Sequence, residues 1–408
     1  MSQKKLTIGI IREGKVPPDK RVPLTPKQCR KLMNIHNDLE IVVQPSPIRA
    51  YGDKEYAAEG ILLNEDLSNC DLIIGVKEVN ISDLIPNKKF MFFSHTIKKQ
   101  PYNRELLRAI IQKNIELIDY EVLKDTTGRR IIGFGRYAGI VGCYNGFITF
   151  GLKHSIYELK PAHLCKNRLE VEEELKKVKL PANTKIVLTG FGRVGHGARE
   201  IIASLGLKEV SPEEFLAQDF SMPVFTHLDV EDYFERRDGG KFSKHEFYNK
   251  PEHYRSSFKK FADVANMYIP CHYWNSRADF ILTREDLKDP NTALSVVADI
   301  SCDIDGPVAC TIRPSKIGEA IYGYNPITET EDHFMKDGVI AVMAVDNLPC
   351  ELPLDASEDF GEELMKEVIP QLLNGDPLGI IDKATETTKE GVLNEHFSYL
   401  QSYLDGKE

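Results

Sequence analysis

The chain has 408 residues, 42 % of them apolar and 28 % charged, with a net charge of −10. That is the composition of a water-soluble globular protein too long for one ordinary core, and it suits two domains of about 150–200 residues each. The 62 acidic and 52 basic residues are interspersed with no basic stripe, which argues against a nucleic-acid partner. No window approaches the ~18 continuous apolar residues of a membrane span, and Met1–Leu6 carries no apolar leader core. The eight cysteines form no Cys-x-x-Cys pair and the 11 histidines are dispersed, so neither a disulfide framework nor a metal site is expected. A cytoplasmic protein with buried, inert thiols is the expectation.

In chain order, short apolar runs recur at Leu6–Ile11, Ile41–Val43, Leu72–Val76, Phe90–Phe93 and Glu116–Tyr120. A second series follows at Ile186–Leu188, Val224–Leu228, Leu294–Ile300 and Val339–Val345. Such runs predict strands buried on both faces of parallel sheets, and helix-period segments such as Pro26–Asn34 and Asn103–Asn114 lie between them. The expected fold class is therefore α/β, with two doubly wound Rossmann-like domains and a cleft between them. Gly133–Gly151, rich in glycine, reads as a crossover between the domains, and Arg168–Lys179 as a solvent-washed helix. From Asp229 to Tyr268 the chain is polar, aromatic-rich and poorly periodic, an insertion whose rings pack it down. Towards the end, Asp355-Ala-Ser-Glu358 offers a capping-box-like start, followed by an amphipathic helix over Gly361–Leu373 and a closing helix over Gly391–Leu404.

The most informative stretch is Thr189-Gly190-Phe191-Gly192-Arg193-Val194-Gly195, directly after the apolar run Lys185–Leu188. It fits a strand, a glycine turn and a helix opening near His196, the setting of a dinucleotide-binding G-x-G-x-x-G. Gly190 would permit the sharp turn, Gly192 the approach of a pyrophosphate, and Gly195 close packing of helix on strand, although such glycines are often purely structural. In the first half, Lys77-Glu78, His95 and Glu121 each follow a strand-like run, where ligands bind in parallel sheets. A lysine and a histidine in one cleft can share acid–base work, since burial lowers a lysine pKa readily and histidine titrates near neutrality. Arg21 and Arg130 are candidate carboxylate anchors, or surface ion pairs. Asp299 and Asp303 could orient a ribose, a nicotinamide amide or a substrate ammonium, or cap the next turn.

These segments resemble the alanine dehydrogenase/transhydrogenase superfamily, and within it the lysine-forming saccharopine dehydrogenases, most of all the lysine–2-oxoglutarate reductase half of animal and plant aminoadipic semialdehyde synthase. The matching stretches begin at Arg21 (Arg-Val-Pro-Leu-Thr-Pro), Ile74 (Ile-Gly-Val-Lys-Glu), Phe92 (Phe-Phe-Ser-His-Thr-Ile-Lys), Leu117 (Leu-Ile-Asp-Tyr-Glu), Ala298 (Ala-Asp-Ile-Ser-Cys-Asp) and Val345 (Val-Asp-Asn-Leu-Pro). Pro349-Cys-Glu-Leu-Pro353, Phe360-Gly361 and the insertion around Tyr248–Trp274 extend the likeness over nearly the whole chain. The resemblance implies that Lys77 and His95 are the acid–base pair, with Arg21, Gln100, Arg130 and Phe134 at substrate-contacting positions and Glu121 in the same cleft; Glu78, beside Lys77, is counted with the substrate side. It places Gly192, Arg193, Asp346, Asn347 and Leu348 at the cofactor, alongside Gly190 and Gly195 of the glycine turn, and Asp303 where cofactor meets substrate. A substrate domain over 1–138 and 350–408 and a dinucleotide domain over 139–349, with an insertion at about 229–275, would follow.

The implied activity is formation or cleavage of saccharopine from lysine, 2-oxoglutarate and NAD or NADP, with no metal, no membrane and a homo-oligomer as an open assembly. The alternatives are an alanine dehydrogenase-like amino-acid dehydrogenase and a non-catalytic dinucleotide-binding subunit. The residue that selects between NAD and NADP is expected about 20 positions past the glycines, at the end of a second strand over Leu207–Val210, with Glu209 and Ser211 as candidates. A companion domain that would split saccharopine to glutamate is not expected in a chain of 408 residues.

Overall fold

The computed structural model describes residues 5–407, which divide into two compact units. The first unit runs to Phe134 and resumes at Pro353; the second is Gly135–Leu352.

The first unit is built on a seven-stranded sheet in the order Thr385–Thr387, Glu116–Asp119, Lys89–Phe92, Leu72–Ile74, Leu6–Ile10, Leu39–Val43, Leu62–Leu63. Six strands pair in parallel, and Thr385–Thr387 joins the edge antiparallel to Glu116–Asp119. The central strands are apolar on both sides because helices cover both faces. Helix Pro26–Ile35 starts at a capping box in which Thr25 accepts from Gln28 N, and helix Pro101–Gln112 starts at a proline that is pre-set for a first turn. The returning tail fills the same core with Phe360, Leu364, Val368, Ile369, Ile380 and Ile381.

The second unit carries an eight-stranded sheet in the order Thr330–Asp332, Ile321–Asn325, Ile340–Met343, Val296–Ala298, Met267–Pro270, Lys185–Thr189, Val224–Leu228, Lys208–Glu209. The last six are parallel, and the first two form an antiparallel hairpin at one edge. Both units are thus parallel-dominated α/β sheets, the expected Rossmann-like class.

Several local expectations need correction. Gly133–Gly151 does carry the chain from the first unit into the second, but as a largely buried 20-residue helix, Gly135–His154. Its glycines serve close packing. A Cβ on Gly139 would lie 1.9 Å from Val194 O on helix Arg193–Ser204, and one on Gly197 of that helix 2.0 Å from Arg136 O. The segment around Met267 belongs to the main sheet, so the insertion ends before that strand and not at 275. What remains inserted is a hairpin, Phe234–Arg236 with Tyr254–Ser256, packed by Tyr233, Phe234, Phe247, Tyr254 and Phe258.

Near the C-terminus the helix opens at Pro353, ahead of the Asp355 box, and passes through a π-helical stretch, Leu364–Val368, before Ile369–Leu373. Pro370 explains the widened turn, because it has no N–H to offer an i→i−4 bond. The closing helix is shorter than expected: Glu395–Leu400 is 3₁₀ and Gln401–Leu404 α, and Gly391 sits at φ +71° outside both. Among the described residues no helix is long and apolar enough to cross a membrane.

Candidate active site

In the first unit the parallel strands deliver their following residues to one edge. Leu72–Ile74 leads to Lys77 and Glu78, Lys89–Phe92 to Ser94 and His95, Glu116–Asp119 to Glu121, and Leu6–Ile10 to Glu13. These four strands are neighbours, so residues far apart in sequence come together at the carboxyl end of the sheet.

His95 Nδ1 and Glu78 Oε1 are 2.6 Å apart, and Glu78 Oε2 accepts from Lys15 Nζ at 3.1 Å. Burial works against the ionised Glu78, but the His95 hydrogen bond and charge, with Lys15, bring its pKa down to about 2. Glu78 is therefore a fixed anion that orients the imidazole, leaving Nε2 as the nitrogen available for proton transfer. Lys77 is lowered from its ordinary value, first by burial and then by the charges of Arg21 and Lys15. That combination brings a lysine closer to use as a proton carrier.

Glu13, not singled out from the sequence, is half-buried and accepts from Val76 N at 2.6 Å and Lys77 N at 2.9 Å. Burial, with Asp19 next in size, pushes its pKa up to about 8. Glu13 thus fixes the backbone at Lys77 without an obligatory charge at neutral pH.

Arg21 lies in the same cluster, but its fork is not open: Nε and Nη2 reach Asp19 Oδ1 and Oδ2 at 3.0 and 2.5 Å, and the guanidinium lies 4.2 Å from the Phe134 ring centre. Phe134 stacks on Phe360 at 4.5 Å. Arg130 Nη1 is 3.8 Å from Glu121 Oε1, which also faces Lys98 Nζ at 3.3 Å, while Glu121 Oε2 is buried without a hydrogen-bond partner. Gln100 is exposed, N-terminal to helix Pro101–Gln112, and accepts from Tyr102 Oη.

The second unit holds the glycine turn. Gly190 has φ +94°, and a Cβ there would also meet Cys271 O at 2.5 Å. Gly192 is the N-cap of helix Arg193–Ser204, so the helix opens three residues earlier than expected and points its first N–H groups at the turn. A Cβ on Gly195 would lie 1.9 Å from Gly190 O, whereas one on Gly192 would meet nothing within 4 Å. The three glycines thus have three physical reasons: conformation, open approach and close packing.

Above the turn is a cavity of about 590 Å³ lined by Gly190, Gly192, Arg193, Asp229, Lys244 and His272, among others. His272 went unnoticed in the sequence. Its Nδ1 is 2.9 Å from Thr189 Oγ1, its Nε2 is buried without a partner, and burial lowers its pKa to about 3. A neutral imidazole with an unused nitrogen, an open Gly192 and a helix N-terminus fit a dinucleotide diphosphate.

Glu209 does not stand where the selector was expected. Strand Lys208–Glu209 is at the sheet edge, and Glu209 pairs with Arg199 at 2.7 Å. The strand beside the glycine-turn strand is Val224–Leu228, and it ends at Asp229, whose Oδ1 accepts from Val230 N and whose Oδ2 pairs with Lys244. A sequence offset counts residues, whereas the site needs the spatial neighbour; a helix Pro212–Ala217 between the two strands moved it further along. Asp299 proves to be a turn cap, accepting from Cys302 N at 3.0 Å and Thr311 Oγ1 at 2.6 Å. Asp303 is half-buried with its pKa raised by burial. Asp346 is exposed, and Asn347 and Leu348 begin the turn after strand Ile340–Met343.

Residues 9–141 match the family model described as alanine dehydrogenase/PNT, N-terminal domain. The chain is 31 % identical over 401 residues to alpha-aminoadipic semialdehyde synthase of Arabidopsis thaliana, covering 88 % of this chain and 37 % of that protein. The resemblance read from the motifs holds. A saccharopine dehydrogenase (NAD(+), L-lysine-forming) of Yarrowia lipolytica is 27 % identical over 88 % of this chain and 90 % of its own. A solved L-alanine dehydrogenase superposes with a TM-score of 0.66 over 98 % of this chain and 99 % of its own, at 16 % identity, which is a likeness of fold. The chain spans 37–48 % of the semialdehyde synthases it matches, and the mammalian ones carry "mitochondrial" in their names.

Proposed function

We propose that this chain is an NAD(P)-dependent oxidoreductase that forms or cleaves saccharopine, joining L-lysine to 2-oxoglutarate through an imine. The observation that carries the proposal is the Glu78–His95 pair at 2.6 Å beside a desolvated Lys77, at the carboxyl edge of a parallel sheet. The names of the relatives supply the substrates.

In this reaction the lysine ε-amine, as free base, adds to the ketone carbon of 2-oxoglutarate and the carbinolamine loses water to give an imine. The bound reduced dinucleotide supplies the hydride that saturates the C=N bond. Lys77 and His95 carry the protons: one removes the amine proton on addition, the other delivers a proton to the departing hydroxyl, and they exchange roles in hydrolysis. Arg130 and Glu121 flank the substrate carboxylate and ammonium, with Arg21, held by Asp19, beside them. Gln100 and Phe134 complete that side. On the dinucleotide side, Gly190, Gly192, Arg193 and His272 would hold the diphosphate, with Asp303, Asp346, Asn347 and Leu348 towards the nicotinamide.

For the adenosine ribose, Asp229 offers a carboxylate to a 2′-hydroxyl, which favours NAD, while Lys244 beside it is a cation suited to a 2′-phosphate. Steady-state kinetics with NADH and NADPH decide between them. Residence in the cytoplasm and self-association are further parts of the proposal, read by cell fractionation and by sedimentation.

The deciding assay is oxidation of NADH or NADPH dependent on both lysine and 2-oxoglutarate. Lys77→Met and His95→Gln are expected to lower kcat roughly 10²–10⁴-fold each. Turnover with ammonia and pyruvate instead would mark an alanine dehydrogenase-like enzyme. Dinucleotide binding without turnover on any amine and 2-oxoacid would mark a non-catalytic subunit.

A further inference from the structure

His95 is held at φ +54°, a backbone region that residues with a Cβ rarely adopt. Its two chain neighbours are tied down beneath it. Ser94 Oγ donates to Asp119 Oδ2 at 2.5 Å and lies 2.7 Å from Thr96 Oγ1, and Thr96 Oγ1 in turn donates to Glu386 Oε2. Asp119 Oδ1 accepts from Glu121 N at 2.7 Å, so one carboxyl braces both the His95 turn and the Glu121 turn. Ser94, Thr96, Asp119 and Glu386 are all fully buried.

Glu386 comes from the far end of the chain, on the edge strand Thr385–Thr387. The pairing of that strand is irregular at this residue: Thr385 faces Ile118, while Thr387 faces Leu117. Such a bulge re-aims the extra residue, and here that residue is the glutamate. Two carboxyls sealed together cannot both ionise without a large cost. Burial drives Asp119 upward, and burial followed by the charge of Asp119 drives Glu386 further, so Glu386 keeps the proton.

We propose that Glu386, acting through Ser94, Thr96 and Asp119, is a positioning residue that holds His95 and Glu121 in register for proton transfer. The proposal rests on the role given to His95 above. Glu386 touches no reacting atom; a hydrogen-bonded platform built by the C-terminal strand sets where the imidazole stands. A neutral amide should replace a protonated carboxyl here, because it donates to Asp119 and accepts from Thr96 in the same way.

The test uses the full chain saturated with whichever of NADH and NADPH it turns over faster. Glu386→Gln is expected to keep kcat within about twofold of the wild type, and Glu386→Ala and Thr96→Val to lower it roughly 10- to 100-fold, with the dinucleotide KM within about twofold. The His95 ring signals, assigned by their loss in His95→Gln, should move in Glu386→Ala and Thr96→Val and stay in place in Glu386→Gln. A merely structural role would lower thermal stability without this split between alanine and glutamine. If Glu386→Ala does not fold, Thr96→Val and Glu386→Gln carry the comparison. Wild-type kcat in the alanine and valine variants, unmoved His95 signals in them, or a loss in Glu386→Gln as deep as in Glu386→Ala overturns the proposal. Absence of lysine and 2-oxoglutarate turnover in the wild type overturns the proposed reaction instead, and the ring signals alone then decide the positioning role.

Discussion

Glu13 shows how one half-buried carboxyl shapes both local geometry and pH response. Burial raises its pKa from about 4.5 to about 8, so the folded protein holds a proton that the unfolded chain has already lost between those values. Its stabilising contribution is fullest below about 4.5 and is lost as pH rises through about 8. Glu13→Gln keeps one oxygen to accept from the N–H of Val76 or of Lys77, not both, and cannot titrate. We expect the fall in Tm between pH 4.5 and 8 to be shallower in that variant than in the wild type, as read by thermal melts across pH. An unchanged slope would place the titration elsewhere. Lys77, lowered by burial and by Arg21, belongs to the same cluster, so Glu13→Gln should also alter the pH dependence of kcat/KM.

At the scale of elements, the strand–turn–helix at Lys185–Ser204 was legible in sequence because glycine spacing, apolar run and helix period agree over a short local stretch. Its glycines should separate by experiment. Gly192 faces open space, so Gly192→Ala is expected to leave Tm unchanged while weakening NADH binding about tenfold, measured by fluorescence titration. Gly195 packs against Gly190 O, so Gly195→Ala should destabilise by about 1–3 kcal/mol by overpacking, measured by denaturant unfolding. The helix Gly135–His154 was illegible for the converse reason. Glycine signals flexibility locally, and only the neighbouring helix reveals that Gly139 is there to admit a backbone at contact distance. Strand Met267–Pro270 was missed because four residues ending in proline carry too little pattern to stand out from the aromatic segment before them.

At the scale of the whole molecule, the two units differ in how they use the chain. Gly135–Leu352 is continuous, whereas the first unit needs the tail from Pro353 onward. Phe360, Leu364, Val368, Ile369, Ile380 and Ile381 are buried in its core, each worth about 1.5–3 kcal/mol, together as large as the whole stability of a typical domain. A chain ending at Leu352 is therefore expected to lose the folding transition of the first unit and its activity while still binding NADH, which calorimetry and fluorescence titration would show. Retention of two transitions would mean that the tail is dispensable.

The sequence alone determined the fold class, the glycine turn and three of the strand-end groups, Lys77, His95 and Glu121. Each is marked by local chemistry: an apolar run says where a buried strand ends, and a polar residue there has few structural reasons to exist. Tertiary structure alone decided which strand lies beside the glycine-turn strand, and so put Asp229 in place of Glu209 as the candidate. It also brought out Glu13, His272 and Glu386, the first two as neighbours of the candidate sites and the third as the proposed support beneath His95. Their significance lies in burial and in partners 64, 83 and 290 residues away, and no reading of neighbours along the chain carries that information.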